Sequence, residues 1–164
     1  SQLPISSPAG TGVPGLRIFV TAASYSGDLI GVSGADNKCM ADIRKPAGAT
    51  FKAMIMTATE RNLSLDWVLQ ADTTYYRLDG TPIGKTWGDG RFGFNLLNRI
   101  DADHVEVWTG ILGSWSSSSA NCAKWASLAG SGTYGFADAV DSGLIVWSTG
   151  SCSMPRHIYC VEKP

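Results

Sequence analysis

Residues 33–46 read SGADNKCMADIRKP, and this stretch sets the fold class. Ser33 with Asp36 three positions on has the spacing of a capping box at a helix start. Ala35, Cys39, Met40 and Ile43 then fall on one helical face, and Arg44 and Lys45 stand where the helix dipole favours cations. Pro46 and Gly48 stop the helix. Because Cys39 shares the apolar face, its thiol points into the core, where a bridge to a strand is geometrically reasonable.

Upstream, residues 16–22 (LRIFVTA) are β-branched and aromatic and read as a first strand. Residues 1–15 carry three prolines, three glycines and three serines without apolar period, and read as an extended tether before a domain at 16–164. Downstream, residues 51–57 read as a strand, and Leu65, Val68 and Leu69 mark a shorter second helix that Asn62 caps. Beyond Asp72, short apolar runs alternate with Gly, Asp, Asn and Ser clusters, with strands expected at 106–109, 144–148 and 157–162. A serine-rich loop at 114–120 carries Trp115. The expectation is one α+β domain with two helices, a mixed twisted sheet and long loops.

Composition bounds the function classes. The chain has 164 residues, 44% hydrophobic and 16% charged, enough for one ordered core and too apolar for disorder. A net charge of -1 gives no field to draw nucleic acid or an anionic membrane surface. No apolar run approaches the ~18 residues a membrane-spanning helix needs. Four cysteines, at 39, 122, 152 and 160, are widely and irregularly spaced, where zinc ligands usually come in close pairs. Disulfides and an oxidising compartment fit best, with a zinc site or free buried thiols as alternatives.

Gly34-Ala35-Asp36, Cys39 in the first helix, Phe51-Lys52-Ala53 and Ala71-Asp72 together resemble the endostatin domain of collagens. Cys122 three residues before Trp125, Cys152, and the closing Tyr159-Cys160-Val161-Glu162 extend that likeness to residues 16–162. Bacterial proteins with this pattern are the leptospiral endostatin-like proteins, and the chain resembles that family most. The resemblance implies a C-type lectin-like (endostatin-like) fold and nested bridges, Cys39 with Cys160 and Cys122 with Cys152, one of three pairings that four cysteines permit. It also implies an outer-membrane lipoprotein anchored upstream, or a secreted protein, that acts in adhesion or immune evasion. The partners implied are extracellular-matrix or serum proteins of the host, such as laminin, complement factor H or plasminogen. The zinc and heparin binding of vertebrate endostatin does not carry over, since the N-terminal region has no histidine and 13 basic residues meet 14 acidic ones.

The remaining motifs give no chemistry of bond making, and no enzyme, cofactor or metal is expected. Gly10 to Gly15 and Gly130 to Gly135 match a dinucleotide fingerprint in letters only, without a strand before and a helix after, and are expected to be loops. Asp101, Asp103, His104 and Glu106 could ligate a metal but read as a solvated loop, and the sugar-binding triplets of calcium-dependent lectins do not occur. His157 lies in a predicted strand with no nucleophile elbow to serve it. The acceptor pattern Asn62-Leu63-Ser64 is taken as structural. Among six tryptophans, Trp67, Trp108, Trp125 and Trp147 are expected in the core. Trp87 and Trp115 fall in Gly- and Ser-rich stretches, and with Lys85, Arg91 and Phe92 they form the candidate ligand-binding set, on loops at 79–115. A calcium-independent carbohydrate-binding module using aromatic platforms is the alternative to a protein-binding domain.

Overall fold

The computed structural model describes residues 13–164. It is a mixed α+β structure with a mostly sheet core, two helices and two disulfides. The loop expected at 10–15 and the tether fall largely outside the described residues. Val13 is already buried, so packing begins three residues before the expected boundary.

Strand β8 (His157–Glu162) organises the sheet. It lies antiparallel to β1 (Leu16–Val20) and to β2 (Phe51–Ala53), and parallel to β5 (Glu106–Trp108). Beyond β1 come β3 (Thr74–Tyr76) and β4 (Pro82–Lys85); beyond β5 come β6 (Ser131–Phe136) and β7 (Ser148–Ser151). The period of two along β8 divides the interior. Ile158 and Cys160 enter one apolar cluster, Tyr159 and Val161 the other. In β1, Phe19 joins the first cluster, while Ile18 and Val20 join the second.

Helix α1 (Gly31–Ala41) covers the first of these clusters with Val32, Ala35 and Cys39. Met40 and Ile43, expected on the same face, are instead 40% and 90% exposed, Ile43 because the helix has already ended. The helix also starts earlier than the capping box predicts, after Ile30 in the left-handed region (φ 62°). Asp36 is diverted from capping to a buried ion pair: its carboxylate takes two bonds from Arg61 (2.7 and 2.9 Å) and one from the Ala53 amide (2.8 Å). Gly34 is required by contact, since a Cβ there would lie 2.0 Å from the Leu29 carbonyl oxygen.

The second helix is not at 65–69. Asp66 adopts φ 47° and its carboxylate binds Arg61, so no helical run forms, although Val68 and Leu69 are buried as expected. Asn62 closes a tight turn, accepting from the Ser64 amide and pairing with Leu65. Instead α2 (Cys122–Trp125) is a single turn in which all four residues have positive φ, between 52° and 63°. The chain is thus wound left-handed there. Trp125 N–H donates to the Asn121 carbonyl (2.7 Å), and the Asn121 side chain accepts from the Lys124 amide (3.0 Å).

Three further expectations are corrected. Residues 144–148 are not a strand: Asp141 accepts from the Gly143 amide and opens a 3-10 turn, Ser142–Leu144, and β7 starts only at Ser148. This turns Trp147 outward, 65% exposed, while Trp115 fills the core place, 2% exposed. Residues 131–135, expected in a loop, are part of β6. The bridges join Cys39 to Cys160 and Cys122 to Cys152, the pairing the resemblance implies. The first ties α1 to the middle of β8, and the second ties α2 to the end of β7.

Candidate binding groove beside β4

A surface groove of about 450 Å³ lies along β4, lined by Gly84, Lys85, Trp87, Phe92, Phe94 and Leu97 among others. The wall is made by the chain folding back after β4. Trp87 N–H donates to the Arg91 carbonyl (2.8 Å) and Gly90 N–H to the Trp87 carbonyl (3.0 Å), closing a turn over residues 87–91. Leu97 N–H donates to the Ile83 carbonyl (2.8 Å) and Leu96 N–H to the Val140 carbonyl (2.9 Å), pinning the far end of the loop to the sheet. Trp67 Nε1 donates to the Gly90 carbonyl (2.6 Å), fixing the turn from beneath.

Trp87 is 52% exposed, Phe94 37% and Leu97 70%. Those are large apolar groups in water, held in place by a rigid support. The Arg91 guanidinium sits 4.8 Å from the Trp87 ring centre, a cation–π stack, and its Nε is 2.9 Å from an Asp89 oxygen. Gly93 packs directly on the indole: a Cβ there would fall 2.8 Å from Trp87 Cζ2. Lys85 is the exposed last residue of β4, and its side chain makes no ion pair or hydrogen bond among the described residues.

Of the five expected ligand-binding residues, Lys85, Trp87 and Phe92 line this groove, and Arg91 stacks on Trp87 beside it. Phe92 lines it from beneath, and Trp115 is buried behind it. Phe92 is 1% exposed and Trp115 2%, and both lie in the larger core cluster, stacked against Tyr75, Trp67 and Phe94. They form the floor that props Phe94 outward. Burial pushes the Tyr75 hydroxyl up to about 12, the mark of a dry floor. Phe94, Asn95 and Leu97 were missed in the sequence. The signal was there as two apolar pairs, Phe92 with Phe94 and Leu96 with Leu97, of which the turn geometry keeps the first member in and sends the second out.

The Asp101, Asp103, His104 and Glu106 cluster disperses to separate partners. Asp101 takes Arg44 (3.2 Å) and the Asp103 amide (2.8 Å), His104 binds Asp138 (2.9 Å), and Glu106 binds Arg156 (2.7 Å). Among the described residues, no three His, Cys, Asp or Glu side chains converge as a metal site would require. His157 Nδ1 binds the Thr21 carbonyl (2.8 Å), an internal bond at the start of the central strand β8.

The geometry defines a disulfide-bonded α+β domain with an aromatic-walled surface groove. The chain belongs to the family described as protein of unknown function, DUF1554, whose match covers residues 22–140 and so includes α1, the groove and α2 but not β8. No curated protein matches the chain. No helix among the described residues is long and apolar enough to cross a membrane.

Proposed function

We propose that the chain is a bacterial surface-exposed or secreted binding domain with a C-type lectin-like, endostatin-like fold, related to the leptospiral endostatin-like proteins. It holds a segment of a host extracellular-matrix or serum protein in the groove beside β4 and breaks no bond. The observation that carries this reading is the groove itself, where Trp87, Phe94 and Leu97 stand in solvent on a braced floor. An exposed indole flanked by arginine and lysine is the residue mix of interface hot spots. The Cys39–Cys160 and Cys122–Cys152 pairing, which the family resemblance implies, supports the relationship. A protein ligand is favoured over a sugar because Arg91 occupies a ring face of Trp87 that a pyranose would need.

The test is binding of the oxidised protein to immobilised laminin, factor H and plasminogen, beside Trp87→Ala. Saturable binding by the native chain is expected, with a loss of about 2 kcal/mol, some 30-fold, in the variant at unchanged thermal stability. Binding that Trp87→Ala leaves intact moves the site elsewhere. Binding to none of the three, with retention on a glycan array, replaces this reading by the carbohydrate one.

A further inference from the structure

β4 is an edge strand of the sheet, with β3 as its neighbour. Residues opposite one another in an antiparallel pair alternate between bonded and non-bonded, and here Thr86 N–H donates to the Thr73 carbonyl (2.9 Å). Thr73 and Thr86 are therefore a bonded pair, and Thr74 with Lys85, one register step on, is a non-bonded one. The Thr74 carbonyl agrees, since it turns to the β1 side, 3.5 Å from where a Gly15 Cβ would stand. Lys85 consequently points its own N–H and C=O away from β3, and neither finds a partner among the described residues.

Residues 92–97 run back along that open edge. Leu97 N–H bonds the Ile83 carbonyl at one end (2.8 Å) and Trp87 N–H the Arg91 carbonyl at the other (2.8 Å). The two stretches are thus a hairpin closed at both ends and split in the middle, and the groove is the split. The amides of Gly93 and Phe94, in the stretch facing Lys85, are unpaired as well among the described residues. From Ile83 to Trp87 the gap spans four residue steps, roughly 13 Å, which suits the last residues of a chain better than a strand passing through. We propose that the groove receives the carboxyl terminus of a partner protein, ending in a large apolar residue; this rests on the reading of the groove as a protein-binding site.

Charge points the same way. Among the described residues lining the groove, Lys85 is the only one with a charged side chain, and its ammonium is free. Asp89, on the turn that closes the hairpin, is held by Arg91 (2.9 Å) and does not compete for it. A terminal residue brings three matching groups on one Cα. Its carboxylate accepts from the Lys85 ammonium and from unpaired amides, bonds strengthened by charge. Its own N–H donates to the Lys85 carbonyl, as in the addition of a strand to a sheet edge. Its side chain lies among Trp87, Phe94 and Leu97.

The experiment follows backbone amide NMR shifts of the whole oxidised chain while acetyl-Gly-Ser-Thr-Phe with a free carboxylate is added. Two controls accompany it: the same peptide ending in an amide, and acetyl-Gly-Glu-Phe-Ser amide, whose carboxylate lies within the chain. Saturable shifts centred on Lys85, Gly93 and Phe94 are expected with the free acid, weakened by added salt. Either control should bind at least about tenfold more weakly. Lys85→Gln removes the charge and keeps the main chain, and should weaken the acid about fivefold. Lys85→Pro also removes the N–H, at an edge position that tolerates proline, and should weaken it about tenfold further. No shifts with the acid, equal binding of either control, or full binding by both variants with native amide spectra would each overturn the proposal. Binding of laminin, factor H or plasminogen that Trp87→Ala abolishes, beside any of those results, keeps the groove as a binding site and removes only its preference for a chain end. Failure of the groove reading shows separately, as host-protein binding that Trp87→Ala leaves intact.

Discussion

Arg61 shows at the scale of a single residue how a charge comes to be buried. It is 1% exposed, with five donors fixed in a fork. Asp36 takes two of its bonds, Asp66 another (2.7 Å), and the Ala53 carbonyl a fourth (3.0 Å). Burial pushes the Asp66 carboxyl up, but the bonds and charges of Arg61 and Lys52 outweigh it and hold the group below its usual range. Removing the cation strands the Asp36 carboxylate on α1, so Arg61→Ala should lower the unfolding free energy by about 3 to 5 kcal/mol. Arg61→Lys should recover only part of this, since an ammonium cannot span two carboxylates. Urea denaturation at constant slope measures both, and a loss under about 1 kcal/mol for Arg61→Ala would show that the network contributes little. Of the three partners, none was legible in sequence. Asp36 stood in a valid capping box, and the competing partner arrives from 25 positions away, where local spacing carries no information.

At the scale of the element, the most unusual piece is α2. A left-handed turn disfavours residues with a Cβ by roughly 1 to 2 kcal/mol each, yet Cys122, Ala123, Lys124 and Trp125 all adopt it. Two of them are held from outside: Cys122 by its bridge to Cys152, and Trp125 by complete burial and a bond to the Met56 carbonyl. Ala123 and Lys124 are exposed and gain nothing from their side chains there. Lys124→Gly should therefore raise stability by about 0.5 to 1 kcal/mol, the relieved strain exceeding the added freedom of the unfolded chain. A lower denaturation midpoint would mean that the turn is not left-handed in solution. Such a turn has no sequence signal, as neither Gly nor Asn occupies it. The strands fared better. Residues 157–162 alternate between two buried faces and were readable in full, whereas 144–148 were apolar enough for a strand but are bent by the Asp141 cap upstream.

Taken whole, the molecule is a sheet with a bridged cluster on one face and a larger, unbridged one on the other. The four cysteines carried the cross-links in sequence, and the resemblance carried their pairing. The bridges should differ in weight. Cys39–Cys160 closes a loop of 121 residues and Cys122–Cys152 one of 30, which the chain-entropy relation converts to about 4.9 and 3.6 kcal/mol. The inner bridge also holds α2 in its strained hand, so releasing it returns part of what is lost. Replacing Cys39 and Cys160 by alanine should thus destabilise by at least about 1.2 kcal/mol more than replacing Cys122 and Cys152. All four sulfurs belong to residues no more than 2% exposed, so the cavity left by each pair of truncations is similar and largely cancels in the comparison. Urea unfolding of both double variants decides it, with free energies extrapolated to water because an uncrosslinked unfolded chain exposes more surface and steepens the slope. If the inner pair proves the costlier to remove, loop entropy does not dominate here. The left-handed turn would then be a conformation the chain prefers, and the bridge would only record it.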